Sequence, residues 1–382
     1  MYIEIIKNKL YIIFEETPKY MKPLRILAIA DLHFGKLPDS KALYEELKTE
    51  FIEYANKVSP DLIVICGDSF DSRQTVESEA NIYFNKFIDD CRSTNATIII
   101  FEGTYSHDRF QINSLSHYAN EKFIIINTAA SVEVCGLKLL ILPEEYIKDE
   151  TYYKEYFSNN YDFVFFHGMF DHVGINVSDY LGLSKKAFTF NWKMFENNVN
   201  YYVCGGHIHT PSMYKNIIYC GSFTRLNFGE EEDKGFREFI VDDKGCQTNF
   251  IVNKKAKLFS TILASNLPTE TESLLKQLRG YSESNDYLRI IIDITDDNSI
   301  NTIEGFVKQH PNCVIKRKYL EHDEKENERI SLNMKEKQQV LHDRMDKYKN
   351  MDFIEITRQI AKTDYNTEFE TEYINKVLNT KL

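Results

Sequence analysis

Five places along the chain set a histidine or an aspartate just past a short apolar run. They are Asp31 with His33, Asp68 with Asp71, His107 with Asp108, His167, and His207 with His209. Taken singly, each has an ordinary explanation, because a histidine beyond a strand is more often simply hydrogen-bonded. Together they use five of the ten histidines, in company with aspartates, and that points to metal binding. Imidazole and carboxylate with no cysteine suit Mn, Fe or Zn rather than a thiolate-held structural zinc. Four histidines and two aspartates exceed the needs of one ion. Two ions about 3.5–4 Å apart, with a water between them, are the arrangement used to cleave phosphate esters. Asp68 is expected to bridge the pair.

The elements that must position these groups follow from the apolar pattern. Residues 62–66 (LIVIC) form an uninterrupted apolar run after Ser59-Pro60-Asp61, the signature of a strand buried on both faces. Residues 24–30 and 97–101 read the same way. Apolar residues at three- and four-residue spacing predict amphipathic helices over 41–58 and 77–92. The first hundred residues thus run strand, helix, strand, helix, strand, the pattern of a parallel sheet with right-handed crossovers. In such sheets ligands gather beyond the carboxyl ends of the strands, where Asp31 and Asp68 lie. Beyond residue 120 the rhythm changes to strands at 123–142, 161–166, 201–204 and 217–252, which predicts a second sheet. Residues 2–14 predict a hairpin turning at Lys7-Asn8-Lys9. Residues 288–294, 299–308 and 313–315 predict a small α+β unit. A highly charged stretch (321–338) and helical patterns (332–380) complete the chain.

With 382 residues, 43% of them hydrophobic, the chain has room for two or three domains. Its net charge of -12 argues against a surface coated in basic residues, although bound divalent cations supply positive charge that this count omits. Seven scattered cysteines without a CxxC pair read as reduced thiols of an intracellular protein. No run approaches the ~20 apolar residues of a membrane span, and no signal peptide is expected. The expected location is the cytoplasm, or the host cytoplasm if the chain is phage-encoded.

The order DLH (31–33), GDSFD (67–71), SHD (106–108), FFHG (165–168) and GGHIH (205–209) resembles the calcineurin-like metallophosphoesterase superfamily. The tail from Ile218 to Phe223, continuing through Arg225, Phe228-Gly229-Glu230 and Lys234-Gly235, resembles more closely its SbcD-type nuclease subunits of DNA repair and phage recombination. The resemblance covers about 23–255 well and 285–320 loosely. It implies a four-layer α/β/β/α sandwich with a small α+β cap. The implied domains are an N-terminal extension (1–22), a nuclease domain (23–260), a cap (261–325) and a helical partner-binding segment (326–382). By the same resemblance Asp31, His33, Asp68 and His209 hold one ion, and Asp68, His167 and His207 the second. The implied metal is Mn, with Mg, Fe or Zn as alternatives. His107 is the catalytic histidine, oriented by Asp108, and Asp71 supports the site. One departure stands out. The family pattern is Gly-Asn-His-Asp, with the asparagine a ligand of the second ion, whereas this chain has Ser106 before His107. Ser106, Thr104 or water would then complete that ion, as in a phage-like variant that keeps its activity. A crippled second site is the rival.

The implied activity is 3′-to-5′ exonuclease and endonuclease action on DNA, in complex with an SbcC-like coiled-coil ATPase that binds 332–380. Lys36, Arg73 and the basic run Lys316-Arg317-Lys318 are the expected contacts to substrate phosphate. A homodimer through helices near 41–58 or 77–92 fits the family. Two other readings stay open: a phosphomonoesterase or cyclic-nucleotide phosphodiesterase on the same scaffold, and a non-catalytic scaffold whose metal site only stabilises the fold.

Overall fold

The computed structural model describes residues 2–6, 9–13, 23–108, 111–146, 150–171 and 189–318. The turn at residues 7 and 8, the charged stretch 321–338 and the helical pattern 332–380 lie outside the described residues.

Strands β1 (Tyr2–Ile6) and β2 (Lys9–Ile13) pair antiparallel, Tyr2 opposite Ile13 and Ile6 opposite Lys9. The site is built on the next four strands. Strands β3 (Leu24–Ile29), β4 (Leu62–Cys66), β5 (Thr97–Phe101) and β6 (Phe123–Ile126) lie side by side and parallel. Helix α1 (Ser40–Leu47) runs through a π turn at Lys48–Ile52 into α2 (Glu53–Val58), and α3 (Glu79–Ser93) makes the next crossover. Asp39 and Ser78 cap α1 and α3, their side-chain oxygens accepting from the backbone N–H of Ala42 and Asn81. Ser59, in the left-handed region (φ 49°), ends α2 just before Pro60.

The second sheet takes β7 (Ala130–Val134), β8 (Leu137–Leu142) and β9 (Tyr161–His167). Strands β10 (Met169–Asp171) and β11 (Thr189–Asn191) form a separate parallel pair. Strands β12 (Val199–Gly206), β13 (Ser212–Tyr214) and β14 (Ile217–Tyr219) complete the second sheet in the order β1-β2-β7-β8-β9-β12-β14-β13. The chain then returns to the first sheet through β15 (Gly235–Asp242), antiparallel to β3, and β16 (Gly245–Val252), for the order β16-β15-β3-β4-β5-β6.

Alternation along the central strands decides the layering. Leu27, Ile29, Ile63, Ile65, Ile98 and Ile100 face Leu43, Leu47, Phe51, Phe84 and Phe87 of the helical layer. Their neighbours Ala28, Val64, Ile99 and Phe101 face Leu139, Ile141, Phe163 and Phe165 of the second sheet. The outer side of that sheet, Leu140, Val164, Phe166 and Val203, is covered by Tyr153, by Tyr156 of the short helix α4 (Lys154–Phe157), and by Phe195. The result is a four-layer α/β/β/α sandwich. Each fully buried aliphatic side chain contributes about 1.5–3 kcal/mol, so both faces of the central sheet are strongly specified.

Beyond it lie β17 (Phe259–Leu263), α5 (Thr271–Ser284), β18 (Tyr287–Ile292), α6 (Asp297–Val307) and β19 (Cys313–Arg317), the strands in one sheet of that order. Residues Met1–Ile291 with Asp296–Lys316 form one compact unit. The second unit, Ile292–Thr295 with Arg317–Leu382, consists almost wholly of residues outside those described.

Candidate metal centre

Two parallel β-strands of the first sheet deliver Asp31 and Asp68, and two of the second deliver His167 and His207. All leave from carboxyl ends on one side of the sandwich. The loops after β3 and β4 are zipped together by backbone bonds, Asp31 N–H to Gly67 O (3.2 Å), His33 N–H to Asp68 O (3.0 Å) and Phe34 N–H to Ser69 O (2.9 Å). Both Asp31 carboxylate oxygens accept from the His207 N–H (2.9 and 3.1 Å), tying the two sheets across the site. His167 donates its Nδ1–H to the carbonyl of Cys66 (2.9 Å), which fixes the tautomer and leaves Nε2 bare for a cation.

The backbone is strained where these side chains leave it. Asp31 (φ 51°), His33 (49°), Asp68 (48°) and His207 (94°) all occupy the left-handed half of the map, at a cost of order 1–3 kcal/mol each. Two glycines make room for the crowding. A Cβ at Gly67 would lie 2.5 Å from His167 Nδ1, and one at Gly103 would run into the backbone of Asp68. Folding supports such a constellation only because the surrounding sheets over-determine it.

Asp68 is the hub. Its carboxylate accepts from Thr104 N–H (2.5 Å) and Thr104 Oγ1 (3.2 Å), and meets His107 Nδ1 at 2.9 Å. His167 Nε2 lies 3.4 Å from one oxygen and His33 Nε2 3.6 Å from the other. On one side, ligand atoms of Asp31, His33 and His209 lie within 4.8 Å of one another. The Nε2 atoms of His33 and His209 approach to 3.1 Å, the spacing expected of two ligands about 2.1 Å from a shared ion. On the other side, Glu144, His167 and His207 converge within the same limit.

Electrostatics agree with a cation-binding cluster. Burial would raise the Asp68 carboxyl, but His167, His107 and His33 hold it well below the usual carboxylate range. Burial pushes the His33 imidazole well below its ordinary value, against the pull of Asp68, so it stands neutral, as a metal ligand must. Burial alone would lower His167 as well, yet Asp68, Asp31 and Glu144 drive it up to about 10. Buried carboxylates here demand positive charge, and among the described residues of the cluster imidazolium supplies it. His33 Nδ1, His167 Nε2, His207 Nε2 and Glu144 Oε1 are all buried without a hydrogen-bond partner. Buried polar atoms are rarely left so, and here divalent ions fit the donor set.

Six residues expected from the sequence to bind metal, Asp31, His33, Asp68, His167, His207 and His209, come together in this cluster. Ser106 is exposed on its loop, and the carboxylate beside His167 and His207 is Glu144. Nothing in the sequence pattern marked Glu144, although Pro143-Glu144 follows β8 as the other residues of the cluster follow their strands. Asp108 also differs from expectation. Rather than orienting His107, its carboxylate accepts three backbone N–H groups, from Ser69 (3.1 Å), Phe70 (3.1 Å) and Gly103 (3.0 Å). It staples the β4 and β5 loops together, and burial and the charge of Asp68 push its carboxyl up to about 7. Asp71 lies 3.8 Å from His33 Nδ1 and pairs with Lys36 at 3.1 Å, while Arg73, Lys316, Arg317 and Lys318 are exposed.

A further support lies in the family-like tail. Lys234, wholly buried, donates from Nζ to the His209 carbonyl (2.9 Å) and pairs with Glu230 (2.8 Å) and Glu232 (2.8 Å). Glu230 in turn sits 3.5 Å from His209 Nδ1. The sequence showed this tail only as part of a resemblance; its role in holding His209 appears in the structure.

Fold and cluster together define a metal-dependent phosphoesterase. Residues 24–211 match the family model described as calcineurin-like phosphoesterase, so the chain carries a domain of that family. It is also SbcD-like in sequence: it is similar to the SbcD component of nuclease SbcCD from Staphylococcus epidermidis, 27% identical over 255 residues, covering 58% of this chain and 67% of that one. Among solved structures, a dimetal phosphatase from Danio rerio is 11% identical, covers 61% of this chain and 100% of that one, and superposes with a TM-score of 0.34, too loosely to bear on function.

Proposed function

We propose that the chain is a metal-dependent DNA phosphodiesterase, the nuclease subunit of an SbcCD-like complex. The observation that carries this reading is the convergence of Asp31, His33, Asp68, His167, His207 and His209 in a chain similar to an SbcCD nuclease component. Asp31, His33, Asp68 and His209 would hold one divalent ion, and Asp68, His167 and His207 the other, with Mn the first candidate. Such ions activate a water and neutralise charge developing on the phosphate. The chain's own residues do the rest. Asp68 fixes the spacing between the two positions. His107, its side chain 25% exposed against 0% for His167, reaches the open side of the cluster and holds a proton for the leaving oxygen. Asp108 keeps the two loops that carry Asp68 and His107 at a fixed distance. Lys36, Arg73 and the run at 316–318 would meet substrate phosphates.

A feature beside the cluster favours nucleic acid over a small ester. Tyr105, next to Thr104, stacks on Tyr146, two residues past Glu144, with ring centroids 5.0 Å apart at 23°. Both rings are half-buried, and stacked aromatics at a phosphodiester site suit an unstacked base. Residues 326–382 would bind the coiled-coil ATPase. No helix among the described residues is long and apolar enough to cross a membrane, and the expected setting is the cytoplasm.

The deciding experiment presents the purified chain with Mn²⁺ and either end-labelled duplex DNA or p-nitrophenyl phosphate. Cleavage of DNA that depends on metal and on His107 supports the proposal. Turnover of the small ester alone would leave a phosphomonoesterase, and binding of metal without turnover of either would leave a scaffold.

A further inference from the structure

We propose that Glu144 is a direct ligand of the second divalent ion, supplying the oxygen that Ser106 does not. This rests on the dinuclear reading above and gives its second position a specific composition: Asp68, Glu144, His167 and His207.

Placement comes first. Glu144 follows β8, the neighbour of β9 in the second sheet, so it leaves the sheet beside His167, the last residue of β9. Its side chain is 1% exposed. One oxygen, Oε2, lies 2.9 Å from His207 Nδ1 and accepts from Thr104 Oγ1 at 3.4 Å. The other, Oε1, is buried with no hydrogen-bond partner. Burying a carboxylate costs several kcal/mol unless charge and hydrogen bonds compensate it. Its ion-pair partner among the described residues is His207, itself placed to bind metal. A cation between Glu144, His167 and His207 resolves all three groups at once.

The adjacent residue serves as an internal control. Glu145 is turned away, its oxygens accepting from the Ala129 N–H (3.2 Å) and the hydroxyls of Tyr152 (3.1 Å) and Tyr153 (3.3 Å). It is fully engaged in packing the outer layer. Of two neighbouring glutamates, one is satisfied by the fold and the other is aimed into the cluster with an oxygen to spare.

The chemical consequence is charge. A second ion held by Asp68 and Glu144 sees two carboxylates where a neutral amide or hydroxyl would leave one. An all-oxygen increment of this kind favours the harder ions, Mn²⁺ or Mg²⁺, over Zn²⁺.

The test counts ions rather than turnover. Equilibrium dialysis and calorimetry with Mn²⁺ are expected to show two sites in the unsubstituted chain. Glu144→Ala should keep one site unchanged and weaken the other by at least tenfold. Glu144→Gln, which retains a neutral oxygen and guards against misfolding, should fall between, and Ser106→Ala should match the unsubstituted chain. Crystals grown with Mn²⁺ should place the second anomalous peak at bonding distance from a Glu144 oxygen. Two undiminished sites in Glu144→Ala would overturn the assignment alone, as would a second ion bonded to Ser106 with Glu144 merely hydrogen-bonded to His207. Absence of any second site in the unsubstituted chain would overturn the dinuclear reading and this assignment with it.

Discussion

Replacing Lys234 by methionine tests how the site is supported from beneath. The substitution keeps the length and volume of the side chain and removes only its charge and its donors. Lys234 is 0% exposed and engages the His209 carbonyl at 2.9 Å and the carboxylates of Glu230 and Glu232 at 2.8 Å each. Deleting one member of a buried ion pair costs about 3–5 kcal/mol, because the partner is left uncompensated. Glu232, 30% exposed, can turn into water, whereas Glu230, 14% exposed, stays pinned beside His209. The lower end of the range therefore applies, about 3 kcal/mol. With ~2–4 °C lost per kcal/mol in a domain of this size, the melting temperature should fall by roughly 6–12 °C in chelator. A second effect reports on function. Freed from the ammonium, His209 loses the hydrogen bond on its carbonyl and the counter-charge that positions Glu230, so the first ion should bind less tightly. A tenfold weaker Kd removes about 1.4 kcal/mol of metal-dependent stabilisation, so the gap between the two proteins should widen when Mn²⁺ is added. Thermal unfolding followed by circular dichroism, with and without Mn²⁺, measures both. Melting unchanged in chelator, or a gap that closes on adding metal, would refute the reasoning.

Three other outcomes follow from the same geometry. Glu46 is 3% exposed, accepts from Asn253 Nδ2 at 2.6 Å, and is pushed up by burial from 4.5 to about 7. A raised carboxyl stabilises the fold below its unfolded value and loses that contribution as pH rises through the folded one. Glu46→Gln should therefore match the unsubstituted chain near pH 4 and gain up to about 3 kcal/mol by pH 8 in urea unfolding, and parallel stability curves would sink this account. His107→Ala should lower DNA cleavage by roughly 10²–10⁴-fold with two Mn²⁺ still bound in dialysis; loss of the metal instead would make His107 a ligand. Tyr105→Ala should weaken DNA cleavage by about 1–3 kcal/mol in kcat/KM while sparing p-nitrophenyl phosphate, and equal losses on both substrates would remove the stacking role.

How much of this was legible in the sequence depends on the range of the interaction that decides each feature. The parallel core was readable because β3, β4 and β5 are apolar on both faces and need no partner to be recognised. The helices over 41–58 and 77–92 were readable because their apolar stripes are local, although the π turn at Lys48–Ile52 inside the first was not. Helix α5 escaped because only Leu274 and Leu278 bury, too few to write a period, and Gly280 is a poor helix former within it. The chain alone determined that histidines and aspartates stand at the carboxyl ends of buried strands, since strand and end are both set within a few residues. Tertiary structure alone decided which oxygens face the cluster. Glu144 meets His167 only through the pairing of β8 with β9 across the second sheet, whereas Ser106, 38 positions earlier, stands exposed on the loop after β5. Likewise Asp108 reads as a catalytic partner by adjacency, yet its carboxylate serves three N–H groups from loops far apart in sequence. Local chemistry is written in the order of residues, whereas the direction a buried carboxylate takes is set by whichever distant donors the fold brings within reach.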